Sequence, residues 1–134
     1  MKTAVIILFL LCSLCIKATD QVSDLLIYRK DTIYLNSYPL EVLAKSNSQI
    51  AKRLNDENCI KTSCRRQYIG IWKIEGDSLF LIELKDCCDY NPIYLHKIFD
   101  RKQIQRQKVY ANWYSADIET GFGKKKRFSE EKWE

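Results

Sequence analysis

The sequence predicts an α+β domain in which one amphipathic helix packs on an antiparallel sheet of about five strands. Apolar residues recur at helical spacing between residues 40 and 54, and they occupy both faces of two β-type runs between residues 68 and 84. Cysteines stand on both sides of the second segment, at positions 59, 64, 87 and 88. Together these observations predict a helix, a central hairpin and a disulfide clamp around the hairpin.

The first 18 residues have the composition of an export signal. Lys2 precedes an apolar run over residues 4–16, and the small residue Ala18 is a suitable cleavage point. This run is shorter than the roughly 20 residues of a membrane-spanning helix. A lipoprotein is less favoured, because leucine rather than a small residue precedes both Cys12 and Cys15. We therefore expect an exported protein of the periplasm or cell envelope.

Residues 19–134 are expected to form a single domain with a charged tail from about residue 124. The formal net charge of +5 falls to +3 when Lys2 and Lys17 leave with the signal, and residues 97–134 hold ten Lys or Arg against six Asp or Glu. This asymmetry has two interpretations, a surface weakly attracted to anionic envelope components or a solvated face. The second is favoured. The residues of the candidate surface are Lys124, Lys125, Lys126 and Arg127.

Before the hairpin, two short β-type runs at residues 25–28 and 32–35 predict two strands or one bent strand. Pro39 then begins a helical pattern of about four turns that ends in the polar run at residues 55–58. Proline is acceptable at the first helical position because its missing N–H has no helical partner. The apolar face of this helix is expected to pack on the sheet.

The central hairpin spans Tyr68 to Leu84, with Gly76 and Asp77 as its two-residue turn. Apolar residues on both faces indicate central strands. Later segments are predicted in this order: one helical turn at 95–99, a strand at 109–115, its extension or a further strand at 116–120, and an edge strand or frayed tail from 124.

In an exported chain, the four cysteines beyond the signal predict two disulfides, for which three pairings exist. If the hairpin ladder continues outward without interruption, Cys64 falls on the same face as Cys87, one diagonal step away, and Cys88 faces the other way. A bond between adjacent cysteines would be strained. We therefore favour Cys64 with Cys87 and Cys59 with Cys88, and the reverse crossing stays open.

A zinc site is disfavoured, because adjacent cysteines seldom supply two ligands to one metal and the single histidine, His96, lies eight residues beyond Cys88. The cysteine spacing also differs from the Cys-x-x-Cys redox pattern. We expect no metal and no cofactor.

Catalytic motifs are not found, and we predict no catalytic residue. His96 is the one candidate base for a hydrolase triad, and its apolar neighbours favour the polar edge of an apolar turn. Five carboxylates are candidates for an acid/base pair whose separation the sequence does not give: Glu83, Asp86, Asp89, Asp117 and Glu119. The Gly121–Phe122–Gly123 segment lacks the spacing of a phosphate-binding loop and is interpreted as a turn.

Aromatic and basic residues are mixed near the C-terminus, a composition that suits stacking on nucleic acid or sugar rings. Alternation along a strand makes about half of these aromatics core residues, and an exported chain seldom meets nucleic acid. We therefore predict no nucleic-acid partner. The aromatics concerned are Tyr110, Trp113, Tyr114 and Phe122.

A motif of the form Cys-x-Arg-x-Tyr-x-x-x-Trp-x-Ile enters the hairpin, with Cys64, Arg66, Tyr68, Trp72 and Ile74 as its members. Together with the runs at 31–35 and 108–115, it makes the chain from about residue 31 to 124 resemble a family of small exported uncharacterised bacterial proteins. The resemblance implies a shared hairpin and no known activity.

The chain departs from the family pattern beside this motif. The pattern has a tryptophan directly after the second cysteine and a glycine directly before the tyrosine, whereas this chain has Arg65 and Gln67 there. These two differences bear on any shared surface role of that turn.

The sequence is most consistent with a non-enzymatic binding or accessory protein of the periplasm or cell envelope, whose partner is an unknown protein or envelope component. The main alternative is a small immunity or inhibitor protein that acts on another exported protein. A third alternative, an envelope hydrolase, requires a carboxylate pair or His96 in a pocket.

Overall fold

The structure, a computed structural model, describes residues 20–55, 59–119 and 125–128, with segments 116–119 and 125–128 described by backbone alone. Its class is α+β, as predicted. Within these ranges, no helix has both the length and the apolar character needed to cross a membrane. The predicted export signal, Cys12 and Cys15 lie outside the described residues.

The described residues form nine strands and three short α-helices. The strands are β1 (Asp24–Tyr28), β2 (Asp31–Leu35), β3 (Tyr68–Glu75), β4 (Ser78–Asp86), β5 (Pro92–Ile93), β6 (Ile104–Gln105), β7 (Lys108–Tyr110), β8 (Ala116–Glu119) and β9 (Lys125–Phe128). The helices are α1 (Pro39–Ser46), α2 (Ser48–Leu54) and α3 (Leu95–Ile98), and a 3₁₀ turn follows at Arg101–Gln103.

Seven strands form one mixed sheet in the order β2-β1-β3-β4-β7-β6, with β5 also pairing with β4. The prediction of about five antiparallel strands was wrong in two respects. First, β1 and β3 are parallel, because the helical segment between β2 and β3 carries the chain back to run in the same direction. Second, β5 and β6 are two-residue strands, too short to produce a recognisable alternation.

The single predicted helix is two helices that break at Asn47. The backbone of Asn47 is extended, and its side-chain oxygen accepts hydrogen bonds from the N–H groups of Gln49 and Ile50 at 3.1 and 3.2 Å. Asparagine favours this capping position because it satisfies N–H groups that have no helical partner. In the sequence, Asn47 falls among the polar residues of the predicted helix, so the pattern alone did not indicate a break there.

The β3–β4 hairpin and its Gly76–Asp77 turn are as predicted, and Gly76 has a φ of 58°, which favours glycine. The predicted uninterrupted ladder was wrong. The register shifts between Ile71 and Trp72, so that Tyr68 lies opposite Asp86. The shift leaves one extra residue on β4 and thus forms a β-bulge.

The core lies between the sheet and the helices and includes the fully buried Trp72 and Phe99. Trp113 packs against both rings, with centroid distances of 6.5 and 6.2 Å, and its indole N–H donates to the carbonyl of Pro39 at 2.8 Å. The predicted strand at 109–115 therefore ends at Tyr110, because the chain turns there to bring Trp113 into the core.

Candidate functional site

A buried ion pair joins the start of β1 to the chain that enters β3. Asp24 is fully buried, the side chain of Arg66 is 3% exposed, and Arg66 Nη2 lies 3.1 Å from Asp24 Oδ1. The carboxylate also accepts hydrogen bonds from the Gly70 N–H at 3.0 Å and from Trp72 Nε1 at 2.9 Å. Burial raises the pKa of Asp24, whereas these donors and the Arg66 charge oppose that rise. This pair fixes β1 against β3.

The same network restricts its surroundings. The Arg66 guanidinium lies 3.7 Å from the centroid of the Tyr38 ring and donates to the Val22 carbonyl at 2.8 Å. A Cβ at Gly70 would lie 2.6 Å from Trp72 Nε1, so glycine is needed there for close approach. Gln67 adopts a φ of 70°, a region that favours glycine.

Two disulfides hold the ends of the hairpin. Cys59 is bonded to Cys88 and Cys64 to Cys87, with Cα–Cα distances of 5.9 and 6.3 Å. This is the pairing that the sequence favoured, although the register near the cysteines differs from the ladder on which that prediction relied. The segment before β3 and the segment after β4 are thus joined covalently.

The loop that follows β4, residues 87–91, is braced by Asp86. Its carboxylate accepts hydrogen bonds from the N–H groups of Cys88, Asp89 and Asn91 at 2.9, 2.7 and 3.0 Å. These donors, the Asp89 N–H above all, hold the pKa of Asp86 below its ordinary value of 3.8. The brace is therefore complete above pH 3.8 and is lost as the pH falls through the lowered pKa.

Two large apolar side chains are exposed next to the Cys59–Cys88 bond. Tyr90 is 56% exposed with a φ of 58°, and Ile60 is 82% exposed. Each lies within two residues of a bonded cysteine. We call Ile60, Tyr90 and the disulfide between Cys59 and Cys88 the braced patch.

A cleft with a volume of about 620 Å³ lies beside β4, β6 and β7, and we call it the basic cleft. The described side chains that line it include three cations and no carboxylate. Lys108 contacts Glu75 and lies 4.3 Å from the centroid of the Phe80 ring, whereas Lys102 and Arg106 are exposed. Tyr110, 47% exposed, has its ring centroid 5.6 Å from that of Phe80.

The turn beside this cleft has an unfavourable backbone. Arg106 and Gln107 connect β6 to β7 and have φ values of 50° and 63°. A two-residue turn of this form ordinarily contains asparagine and glycine. Other residues adopt this conformation at a cost of about 1–2 kcal/mol each. The turn thus holds Arg106 at the cleft despite a local cost.

A second concavity, of about 540 Å³, lies between α1, α2 and residues 65–68. Glu41, Lys52 and Arg65 give its lining both signs of charge. Burial raises the pKa of the Tyr68 hydroxyl, which keeps this lining group neutral. Arg66 also lines this cavity but is paired with Asp24, and Glu41 partly offsets the charge of Lys52 and Arg65, so the cavity is a weaker candidate for an anionic ligand than the basic cleft.

The predicted basic surface is described in part. Lys125, Lys126 and Arg127 lie on β9, where Lys125 pairs with Glu119 and Arg127 pairs with Asp117 across the ladder to β8. Lys124 lies outside the described residues. The proposed role of this surface stays a prediction. The cations of the basic cleft come from the same C-terminal half of the chain but were not singled out from the sequence.

The candidate catalytic groups have separate surroundings. The His96 ring is exposed and stacks on Tyr94 at a centroid distance of 5.6 Å. Glu83 lies 3.6 Å from Lys85, and Asp86 braces the loop that contains the exposed Asp89. Asp117 and Glu119 lie on β8, where the structure describes backbone alone.

Comparisons with known proteins give no relative for this chain. No family model matches it, and no curated protein or solved structure is significantly similar to it. The resemblance to small exported bacterial proteins therefore stays a prediction.

Proposed function

We propose that the chain is an exported, non-enzymatic binding or accessory protein of the periplasm or cell envelope that contacts another protein through the braced patch. The observation that carries this proposal is the exposure of Tyr90 and Ile60 on two loops that the Cys59–Cys88 bond joins covalently. Disulfides persist in oxidising compartments, which supports export.

Rigidity is what makes the braced patch suitable for binding. The Cys59–Cys88 bond and the three N–H groups held by Asp86 restrict the loop before any partner arrives. A preorganised loop loses less conformational entropy on binding. Tyrosine is also enriched among the residues that contribute most to protein interfaces. The left-handed backbone at Tyr90 is a local cost of the kind that clusters at functional sites.

The same loop favours one specific form of the proposal, an immunity or inhibitor protein that acts on another exported protein. Enzyme–inhibitor pairs move little at their interfaces on binding. A loop that is braced covalently at Cys88 and by hydrogen bonds to Asp86 meets that requirement. An envelope hydrolase is less well supported, because neither of the two concavities described above is lined by His96.

Substitution of Tyr90 is expected to weaken partner binding without loss of stability. Asparagine tolerates a positive φ, so Tyr90→Asn removes the ring and keeps the loop conformation. Removal of an aromatic anchor costs about 2 kcal/mol or more, which corresponds to about thirtyfold in Kd. The measurement is co-purification of envelope proteins with the tagged chain, followed by titration of the retained protein.

Tyr34→Asn is the matched control, because Tyr34 is 73% exposed on β2, an edge strand that contributes no residue to the braced patch. The proposal requires that Tyr34→Asn retains the partner with unchanged Kd. Equal retention of the partner by the unsubstituted chain, Tyr90→Asn and Tyr34→Asn would contradict the proposed surface. Failure of the unsubstituted chain to retain any protein would contradict the proposed function.

A further inference from the structure

We propose that the basic cleft binds an acidic saccharide, meaning a sugar unit that carries a carboxylate or sulfate group. This site is independent of the braced patch, which lies on other elements of the chain. The proposal rests on the charge of the cleft and on its exposed ring and amides.

Charge selects the sign of the ligand. Lys102, Arg106 and Lys108 line the cleft, and the described lining contains no carboxylate. Lys108 is engaged by Glu75, so its charge is partly offset. Lys102 and Arg106 are exposed. Two cations with no protein acid in the lining favour an anionic group, to which arginine presents a planar pair of donors.

Rings and amides select a sugar among anionic ligands. The Tyr110 ring is about half exposed, and the Phe80 ring supports it from one side. The amides of Gln105 and Asn112 are exposed in the same lining, and each amide offers both a donor and an acceptor. The exposed aromatic ring can stack on the face of a sugar ring, and the neighbouring amides can donate to and accept from its hydroxyl groups. The volume of about 620 Å³ is that of a small-ligand site.

The conformation of the β6–β7 turn offers a substitution that separates binding from stability. Glycine at position 106 would adopt the observed φ of 50° without steric cost. Binding and stability are therefore expected to respond in opposite directions to substitution of Arg106 by glycine.

The experiment is calorimetric titration of the protein with tetragalacturonic acid, a carboxylated oligosaccharide, with a heparin-derived tetrasaccharide as the sulfated arm. Arg106→Gly is expected to weaken binding by about tenfold or more, because it removes a charge-assisted contact. Its melting temperature is expected to be unchanged or a few degrees higher, so loss of binding is not a consequence of unfolding.

Two matched controls separate the causes. Gln107→Gly changes the neighbouring turn residue, whose φ is 63°, and keeps the cation, so its affinity should be unchanged. Arg29→Gly removes an equal charge from a turn residue with a φ of 57° in the β1–β2 connection, at the other edge of the sheet. It should also bind normally. If Arg29→Gly weakened binding as much as Arg106→Gly does, the loss of affinity would reflect net charge alone, and the proposed site would be overturned.

The ligand class has its own tests. Neutral maltotetraose should bind at least tenfold more weakly than tetragalacturonic acid, because it lacks the group that the cations recognise. A tetraglutamate peptide should also bind more weakly, because it offers charge without a sugar ring. Equal affinity for tetraglutamate or inorganic sulfate, or the absence of binding to both acidic tetrasaccharides, would overturn the proposal.

Discussion

Reduction of both disulfides is expected to lower the free energy of unfolding by about 6 kcal/mol. The bonds are nested, with sequence separations of 29 for Cys59–Cys88 and 23 for Cys64–Cys87. Closing the larger loop contributes about 3.5 kcal/mol by restricting the unfolded chain. Once Cys59–Cys88 has formed, Cys64 and Cys87 are already linked by the short path through residues 59–64 and 87–88. The second bond therefore closes a smaller loop and contributes about 2.5 kcal/mol. Domains of this size have a total stability of about 5–15 kcal/mol.

Denaturant unfolding with and without reductant measures this effect. Cys64→Ala/Cys87→Ala and Cys59→Ala/Cys88→Ala are the paired variants, and each should lose about 2.5 kcal/mol while the other bond remains. The nested model predicts that loss of both bonds costs more than either alone. A change below about 1 kcal/mol on full reduction, or four free thiols in the oxidised protein, would contradict the disulfide clamp.

Asp24→Asn is expected to lower the free energy of unfolding by about 3–5 kcal/mol. The Gly70 N–H binds Oδ1 and Trp72 Nε1 binds Oδ2, whereas an asparagine amide has a single oxygen, so the change removes the charge and also the acceptor of one of these two donors. Arg66, with a side chain 3% exposed, would then be a buried cation without its counter-ion. Removing one partner of a buried pair is costly for this reason.

Glu83→Gln is the control for Asp24→Asn, because Glu83 and Lys85 form an ion pair in which both side chains are more than one third exposed. Its loss should change the free energy of unfolding by less than about 1 kcal/mol. The double variant Asp24→Asn/Arg66→Met should recover part of the loss, since it leaves no buried charge and keeps one acceptor oxygen at position 24. A loss for Asp24→Asn no larger than that for Glu83→Gln would contradict this account of the pair.

Local patterns in the sequence predicted the parts of the fold that depend on neighbouring residues. The Gly76–Asp77 turn follows from the need for positive φ, and the cysteines that bond lie close to the two ends of the hairpin, although the assumed ladder register was wrong. The parts that failed depend on distant contacts. The parallel pairing of β1 with β3 joins residues more than forty positions apart, and no local periodicity encodes it.

The candidate site was less predictable than the fold. Asp24 lies at the first position of a strand, where a polar residue ordinarily marks a boundary. Its carboxylate accepts three hydrogen bonds, from Arg66, Gly70 and Trp72, and these become visible only when β1 meets β3. The excess of basic residues after position 97 was a usable signal, but it could not locate the basic cleft. That cleft depends on the β6–β7 turn and on the short pairing of β7 with β4.

The central claim is that the braced patch is the contact surface of an exported binding protein, and site-specific cross-linking in intact cells tests it most directly. A photoreactive phenylalanine analogue is placed at Tyr90 or, as the control, at Tyr34, which is the more exposed of the two. The account predicts one or more discrete cross-linked proteins from position 90 and none from position 34. Cross-links from position 34 alone, or none from position 90, would contradict it.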